Sequence, residues 1–246
     1  MRNLKVFISY NGAAYHGWQR QNNHVTVQQT IEDKMGILFN HPVTINGCSR
    51  TDAGVHAREF CFNAKIENNI TCEGFIKAMN SLLPDDIAVL SCEDTDESFH
   101  ARYDSIGKEY LYLVNNGQRR DVFMKDTSFF YPYKLDEKRL NKASKLFIGE
   151  HDFSAFCKAE AKEHLKSTIR TVTDFRVERN GDYVSFYVSG NGFLHNMVRI
   201  LVGTLIYINE GKRTEKDILL SLKKGEREIA GKTISPSGLY LNKVFY

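Results

Sequence analysis

The chain has 246 residues, of which 42% are hydrophobic, 26% charged and 12% aromatic. That balance excludes disordered, collagenous and coiled-coil classes and leaves room for one large core or two small ones. Thirty-three Lys and Arg against 30 Asp and Glu give a net charge of +3, too mild by itself to announce a polyanion partner.

Residues 4–10 alternate, with Leu4, Val6 and Ile8 on one face, and predict a first strand. A turn-rich stretch, NGAAYHGWQRQNN, follows. Thr26-Val27-Gln28-Gln29 fits a capping box, so a helix opens there with Val27, Ile31, Met35 and Leu38 as its apolar stripe. A strand near 43–47 leads into the loop SRTDAGVHA, and Phe60, Phe62, Ala64 and Ile66 mark a half-buried strand. A helix near 72–83, closed by Pro84, and a strand near 87–92 complete this half.

After the acidic run Glu93, Asp94, Asp96 and Glu97, a strand covers residues 106–115 with Tyr110 and Tyr112 on one face. Leu135 to Ile148 reads as a helix ended by Gly149. Lys158, Lys162, Lys166 and Arg170 fall four apart and form one basic stripe if that segment is helical. Strands near 169–178 and 183–189 precede a helix near 194–209, a second helix opening at Thr214, and a closing strand at 239–246. The order predicts an α+β chain in two halves, 1–105 and 106–246. The halves differ in charge: the first holds 9 basic and 13 acidic side chains, net −4, and the second carries net +7. Taken alone, that excess is a solvated lysine-rich surface before it is a polyanion site.

Five cysteines show no CxxC pair, and an odd, irregular set fits a reducing cytosol rather than a disulfide framework. No metal-ligand spacing is present, so no metal is expected. The most apolar stretch, Met197 to Ile208, is short and contains Arg199, which argues against a membrane span. A soluble cytoplasmic protein is expected.

Three places could carry chemistry. Ser49 to Ala57 packs a carboxylate, a guanidinium, a hydroxyl and an imidazole beside Gly54, between two predicted strands. An Asp near a Gly also closes ordinary turns, so the loop alone does not settle the matter. The second place is Gly190 to Arg199, where Arg199 stands among Met197, Val198, Ile200, Leu201 and Val202. A charge in such company calls for a partner. Third, Tyr110 and Tyr112 lie beside Lys108, and Trp18 lies beside Tyr15, His16 and Arg20. Aromatics among cations can stack bases, although strand tyrosines are mostly packing.

Together these blocks resemble bacterial tRNA pseudouridine synthases of the TruA type. The resemblance runs through YNGAAYHGWQRQ at 10–21, SRTDAGVHA at 49–57 and FHARYDSIGKEYLYLV at 99–114. It continues through FIGEHDFSAF at 147–156, GNGFLHNMVRILVGTLI at 190–206 and SPSGLYL at 235–241.

The resemblance implies a pseudouridine synthase fold, an α+β architecture of two similar domains with mainly antiparallel sheets joined across a central RNA-binding cleft. It implies isomerisation of uridine in the tRNA anticodon stem-loop, positions 38 to 40, by a homodimer without cofactor or metal. By match to the family motif, Asp52 is the essential carboxylate and Arg199 its partner. Tyr110 matches the tyrosine that stacks on the target uracil, and Arg50 the residue that fills the gap left by the flipped nucleotide. Leu239 and Leu241 help wall the pocket, while Arg20, His56 and Arg58 join the RNA-binding set. Lys158, Lys162 and Lys166 are candidate phosphate contacts away from the target nucleotide.

The chain departs from the family pattern at Ser49, where Gly is usual, and at Glu59 and Ser235. The first departure matters because serine reaches positive φ less cheaply than glycine. Two other classes fit the sequence less well. A non-catalytic RNA-binding protein would not need Asp52, and an aspartyl hydrolase would need a second carboxylate loop.

Overall fold

In the computed structural model, residues 1–158 and 165–246 are described, and they form two compact units. The first is Met1–Ile106 with Tyr240–Tyr246, and the second is Gly107–Leu239. The contacts therefore return the closing strand, expected in the second half, to the first. A short parallel ladder explains it, pairing Tyr240 with His56 and Leu241 with Ala57. The hydroxyl of Tyr246 also donates to the Ala101 carbonyl at 2.7 Å.

In chain order the first unit contains β1 (Arg2–Tyr10), α1 (Val27–Phe39), β2 (Ile45–Gly47), β3 (His56–Ile66), α2 (Cys72–Leu82) and β4 (Ile87–Thr95). The second contains β5 (Gly107–Asn115), β6 (Phe129–Phe130), α3 (Glu137–Ser144), β7 (Gly149–Asp152), β8 (Ile169–Asn180), β9 (Tyr183–Gly190), α4 (Met197–Asn209) and α5 (Glu215–Lys224). The last strand is β10 (Leu239–Phe245).

The first unit's strands run in the order β4-β1-β3-β10, with β2 also on β3. The β1–β3, β1–β4 and β2–β3 pairs are antiparallel. Being central, β3 is buried on both faces, including Cys61 and Asn63, rather than half-buried as its alternation suggested. The predicted cap holds: Thr26 Oγ1 accepts the Gln29 N–H. Val27, Ile31 and Met35 of α1 are buried, with Phe39 rather than Leu38 completing the stripe. The strand expected to stop near 92 runs on into the acidic segment. There Lys5 pairs with Glu93 at 3.0 Å and Arg2 with Asp94 at 2.8 Å across the ladder.

The second unit's strands run β5-β9-β8-β7, all antiparallel, with β6 parallel on β5. The helix expected over 135–148 is shorter, because Asp136 caps it and Ser144 Oγ turns to the Phe175 carbonyl at 2.8 Å. A single tight turn then reaches Gly149, whose φ of +115° only glycine adopts readily. Likewise α4 opens at Asn196, itself left-handed, rather than near 194. Nearly all of α4 is buried, and Gly203 lets the Lys232 carbonyl approach its backbone.

Candidate active site

The Asp loop is fastened by the turn-rich stretch before α1. The Trp18 N–H donates to the Thr51 carbonyl at 3.1 Å, and the Gly54 N–H to the Tyr15 carbonyl at 3.2 Å. Within the loop, the Val55 N–H donates to the Asp52 carbonyl at 3.1 Å. The Tyr10 hydroxyl and Thr51 Oγ1 share a further bond of 2.9 Å. Two glycines permit this close approach. A Cβ on Gly12 would collide with the Val55 carbonyl, and one on Gly17 would lie 2.5 Å from the Thr51 oxygen. Gly17 also has φ +86°. The result is a bedded loop with Thr51 and Val55 buried and Asp52 half-exposed. Ser49 is not among the positive-φ residues, so the usual glycine is not required there.

Tyr15 ties the bed to β4's approach, because its hydroxyl donates to Asp86 Oδ1 at 2.6 Å. Burial and the Asp86 carboxylate both push its ionisation up, so it stays a donor at neutral pH.

His56 does not join the RNA-facing set. It is 1% exposed, its Nδ1 accepts the Gly12 N–H at 3.0 Å, and its ring stacks on Tyr240 at 4.7 Å. Its place is structural, and the sequence misled because an imidazole in a polar motif looks available. Arg58 is exposed and lies over the other aromatic of that set, 5.2 Å from the Tyr240 ring centre. Arg20 is exposed, but its guanidinium is bound to Glu32 at 2.9 Å. Glu32 was not anticipated. Its side chain is only 6% exposed and accepts from Arg20, from Gln28 Nε2 at 2.9 Å and from the Ile45 N–H at 3.2 Å. An acid on an amphipathic helix reads as a solvated one, so no sequence signal marked it.

In the second unit Tyr110 sits on β5, 7% exposed, with Phe193 edge-on at 5.1 Å. Arg199 is half-buried on α4. Its Nε donates to the Ile234 carbonyl at 2.8 Å and one terminal nitrogen to Asn196 Oδ1 at 2.7 Å. Ser235, one of the departures, holds Tyr112 through its carbonyl at 2.7 Å. Leu239 is 6% exposed. Leu241 has no exposed surface and belongs to the first unit's core rather than to a pocket wall.

The basic stripe is corrected. Lys166 stands in a bend and Arg170 in β8, so a helical period does not join them. Lys158 and Lys166 are exposed, and Lys162 lies outside the described residues. Among the described residues no group of His, Cys, Asp and Glu side chains could hold a metal ion. No described helix is long and apolar enough to cross a membrane.

Comparison with known proteins adds the family. Residues 6–104 and 143–246 match the family described as tRNA pseudouridine synthase. Over all 246 residues, and the whole of each relative, the chain is 43% identical to the tRNA pseudouridine synthase A of a Thermoanaerobacter species. It is likewise 41% identical to that of Acetivibrio thermocellus and 40% to tRNA pseudouridine synthase A 2 of Clostridium perfringens, again end to end. The chain therefore belongs to the tRNA pseudouridine synthases, isomerases of the TruA type.

Proposed function

We propose that the enzyme isomerises uridines in the anticodon stem-loop of tRNA, positions 38 to 40, with Asp52 as the essential catalytic group. The reaction breaks the N1–C1′ bond, turns the uracil and joins C5 to C1′. The C5 proton leaves to solvent and N1 gains one, so atoms balance without a redox partner. An ionised carboxylate serves whether it attacks base or sugar or takes a sugar proton.

The bedding of the Asp52 loop supports this reading most strongly. Two close-packed glycines and two backbone hydrogen bonds tie the loop of a half-exposed carboxylate to the turn-rich stretch before α1, and a third closes the loop on itself, which is the preorganisation that catalysis requires. In this reading Arg199 is the partner of Asp52, Tyr110 stacks on the uracil, Leu239 excludes water, and Arg50 fills the vacated stack. Arg20 and Arg58 face the RNA, and Lys158, Lys162 and Lys166 contact phosphates further away. The working form is a cytoplasmic homodimer, which light scattering tests.

The decisive experiment uses unmodified tRNA transcripts carrying tritium at uracil C5. Wild type releases tritium to water, and mapping places the product at positions 38 to 40. Absence of release on any tRNA rejects the anticodon assignment. Release that persists in Asp52→Ala rejects the catalytic one.

A further inference from the structure

The first unit contains five arginines, Arg2, Arg20, Arg50, Arg58 and Arg102. Arg2 and Arg20 are bound to carboxylates, and Arg58 covers Tyr240. Arg50 and Arg102 are exposed, and among the described residues no carboxylate ion pair or side-chain hydrogen bond engages either guanidinium. Both line the same cavity, of about 250 Å³, together with Ser49, Asn46, His100 and Tyr103. Tyr103 is 74% exposed. Its ring is therefore open to a partner that enters the cavity.

The turn that carries Arg102 and Tyr103 is anchored by hydrogen bonds. Ala101, fully buried, receives a bond from Tyr246 on its carbonyl at 2.7 Å and gives its N–H to Asn63 Oδ1 at 3.0 Å. Beyond it, the His100 N–H donates to Asp104 at 2.8 Å, and the Arg102 N–H to His100 Nδ1 at 3.1 Å. The His100 ring packs on Tyr103 at 4.3 Å, and the Arg102 guanidinium lies 5.8 Å from the Tyr103 ring centre. The aromatic is thus contacted by two side chains of its own turn. The ring is held in place before any ligand arrives, so little ordering entropy is lost on binding.

We infer that Tyr103, Arg102 and Arg50 form a second nucleotide site for the tRNA, one unstacked base lying on Tyr103 and its phosphate held by the two guanidiniums. An exposed aromatic between cations is the arrangement that binds single-stranded RNA, since every base has a π-face and guanidinium matches phosphate. The cavity is smaller than a cofactor pocket, in keeping with a single base. Arg50 belongs to the Asp52 loop, so the nucleotide bound here is a near neighbour of the target uridine. This inference rests on the tRNA reading above and adds Tyr103 and Arg102, which that reading does not use.

The test measures tRNA affinity by filter binding and tritium release in parallel, for wild type and for Tyr103→Ala, Tyr103→Phe and Arg102→Ala. Tyr103→Ala weakens binding about ten- to a hundredfold, with a far smaller fall in kcat, and Tyr103→Phe restores most of the loss. Arg102→Ala lowers the slope of log affinity against log salt by about 1. Binding by Tyr103→Ala within twofold of wild type overturns the site. So does an equal loss in Tyr103→Phe, which would assign the effect to the hydroxyl instead of the ring. If wild type binds tRNA but releases no tritium, the functional reading falls while the same affinity series still decides this site.

Discussion

The backbone N–H of Gly12 donates to Nδ1 of His56 at 3.0 Å, and through that one bond the first turn is fixed to the start of β3. The same imidazole stacks on Tyr240 of β10. Three segments distant in sequence thus meet on a side chain that is 1% exposed. His56→Ala leaves the Gly12 donor unsatisfied and opens a cavity beside Tyr240. The expected cost is about 2–4 kcal/mol, read as a lower urea midpoint. A variant of unchanged stability with weakened tRNA binding would return His56 to the RNA-facing set.

Gly17 offers a cleaner perturbation of the Asp52 loop. Its φ is +86° and a Cβ would stand 2.5 Å from the Thr51 oxygen, so Gly17→Ala suffers both backbone strain and a backbone collision. Gly181 shares the left-handed φ, at +58°, but a Cβ there meets nothing within 4 Å. Gly181→Ala should lose about 1 kcal/mol and keep its kcat. Gly17→Ala should lose more stability and at least tenfold in kcat, because the loop carrying Asp52 must shift. Equal kcat values for the two variants would show that the bedding does not position the carboxylate.

These two positions also show what a sequence can disclose. Periodicity located the strands and helices because alternation and capping are local. Thr26 on α1 and the apolar run of α4 are good examples, each decided within a few residues. The family blocks single out Asp52 and Arg199 as candidates. What stayed hidden depends on contacts between distant segments. His56 became structural only when β10 came to lie beside β3, and Glu32 became a buried acceptor only when Arg20 and the Ile45 amide closed on it. Tyr103 looked like one tyrosine among twelve until the anchoring of Ala101 showed that it is held outward. The step from Lys166 to Arg170 misled for the reverse reason, since a spacing of four is informative only on a helix and neither residue stands on one.

The Arg20–Glu32 pair separates charge that binds RNA from charge that holds the fold. Arg20→Ala leaves a carboxylate that is 6% exposed without its cation. A loss of about 1–3 kcal/mol is expected, below that of a fully buried pair because Arg20 itself is 53% exposed. Its effect on tRNA affinity should be smaller than that of Arg50→Ala, whose guanidinium pairs with no acid among the described residues. Filter binding beside urea denaturation tests both halves. A larger binding loss at Arg20 than at Arg50 would reverse the assignment.

Acid should weaken the fold through carboxylates that are held ionised. The Arg2 hydrogen bond depresses Asp94, the Tyr183 hydroxyl depresses Asp121, and Arg179 depresses Glu137. A carboxyl group whose folded value is depressed stabilises fully above its unfolded value, about 4, and loses that contribution as pH falls through the folded value. Asp94→Asn removes one titrating group while keeping the side chain's shape. The stability gap between wild type and Asp94→Asn should be widest above about pH 5 and narrow steadily below about pH 4. The gap itself should be small, because both partners are solvent-screened. Raising the salt concentration should shrink it further at neutral pH, since screening acts on the ionised pair alone. A gap that is constant from pH 7 to pH 3 would mean that Asp94 acts through packing and not through its charge.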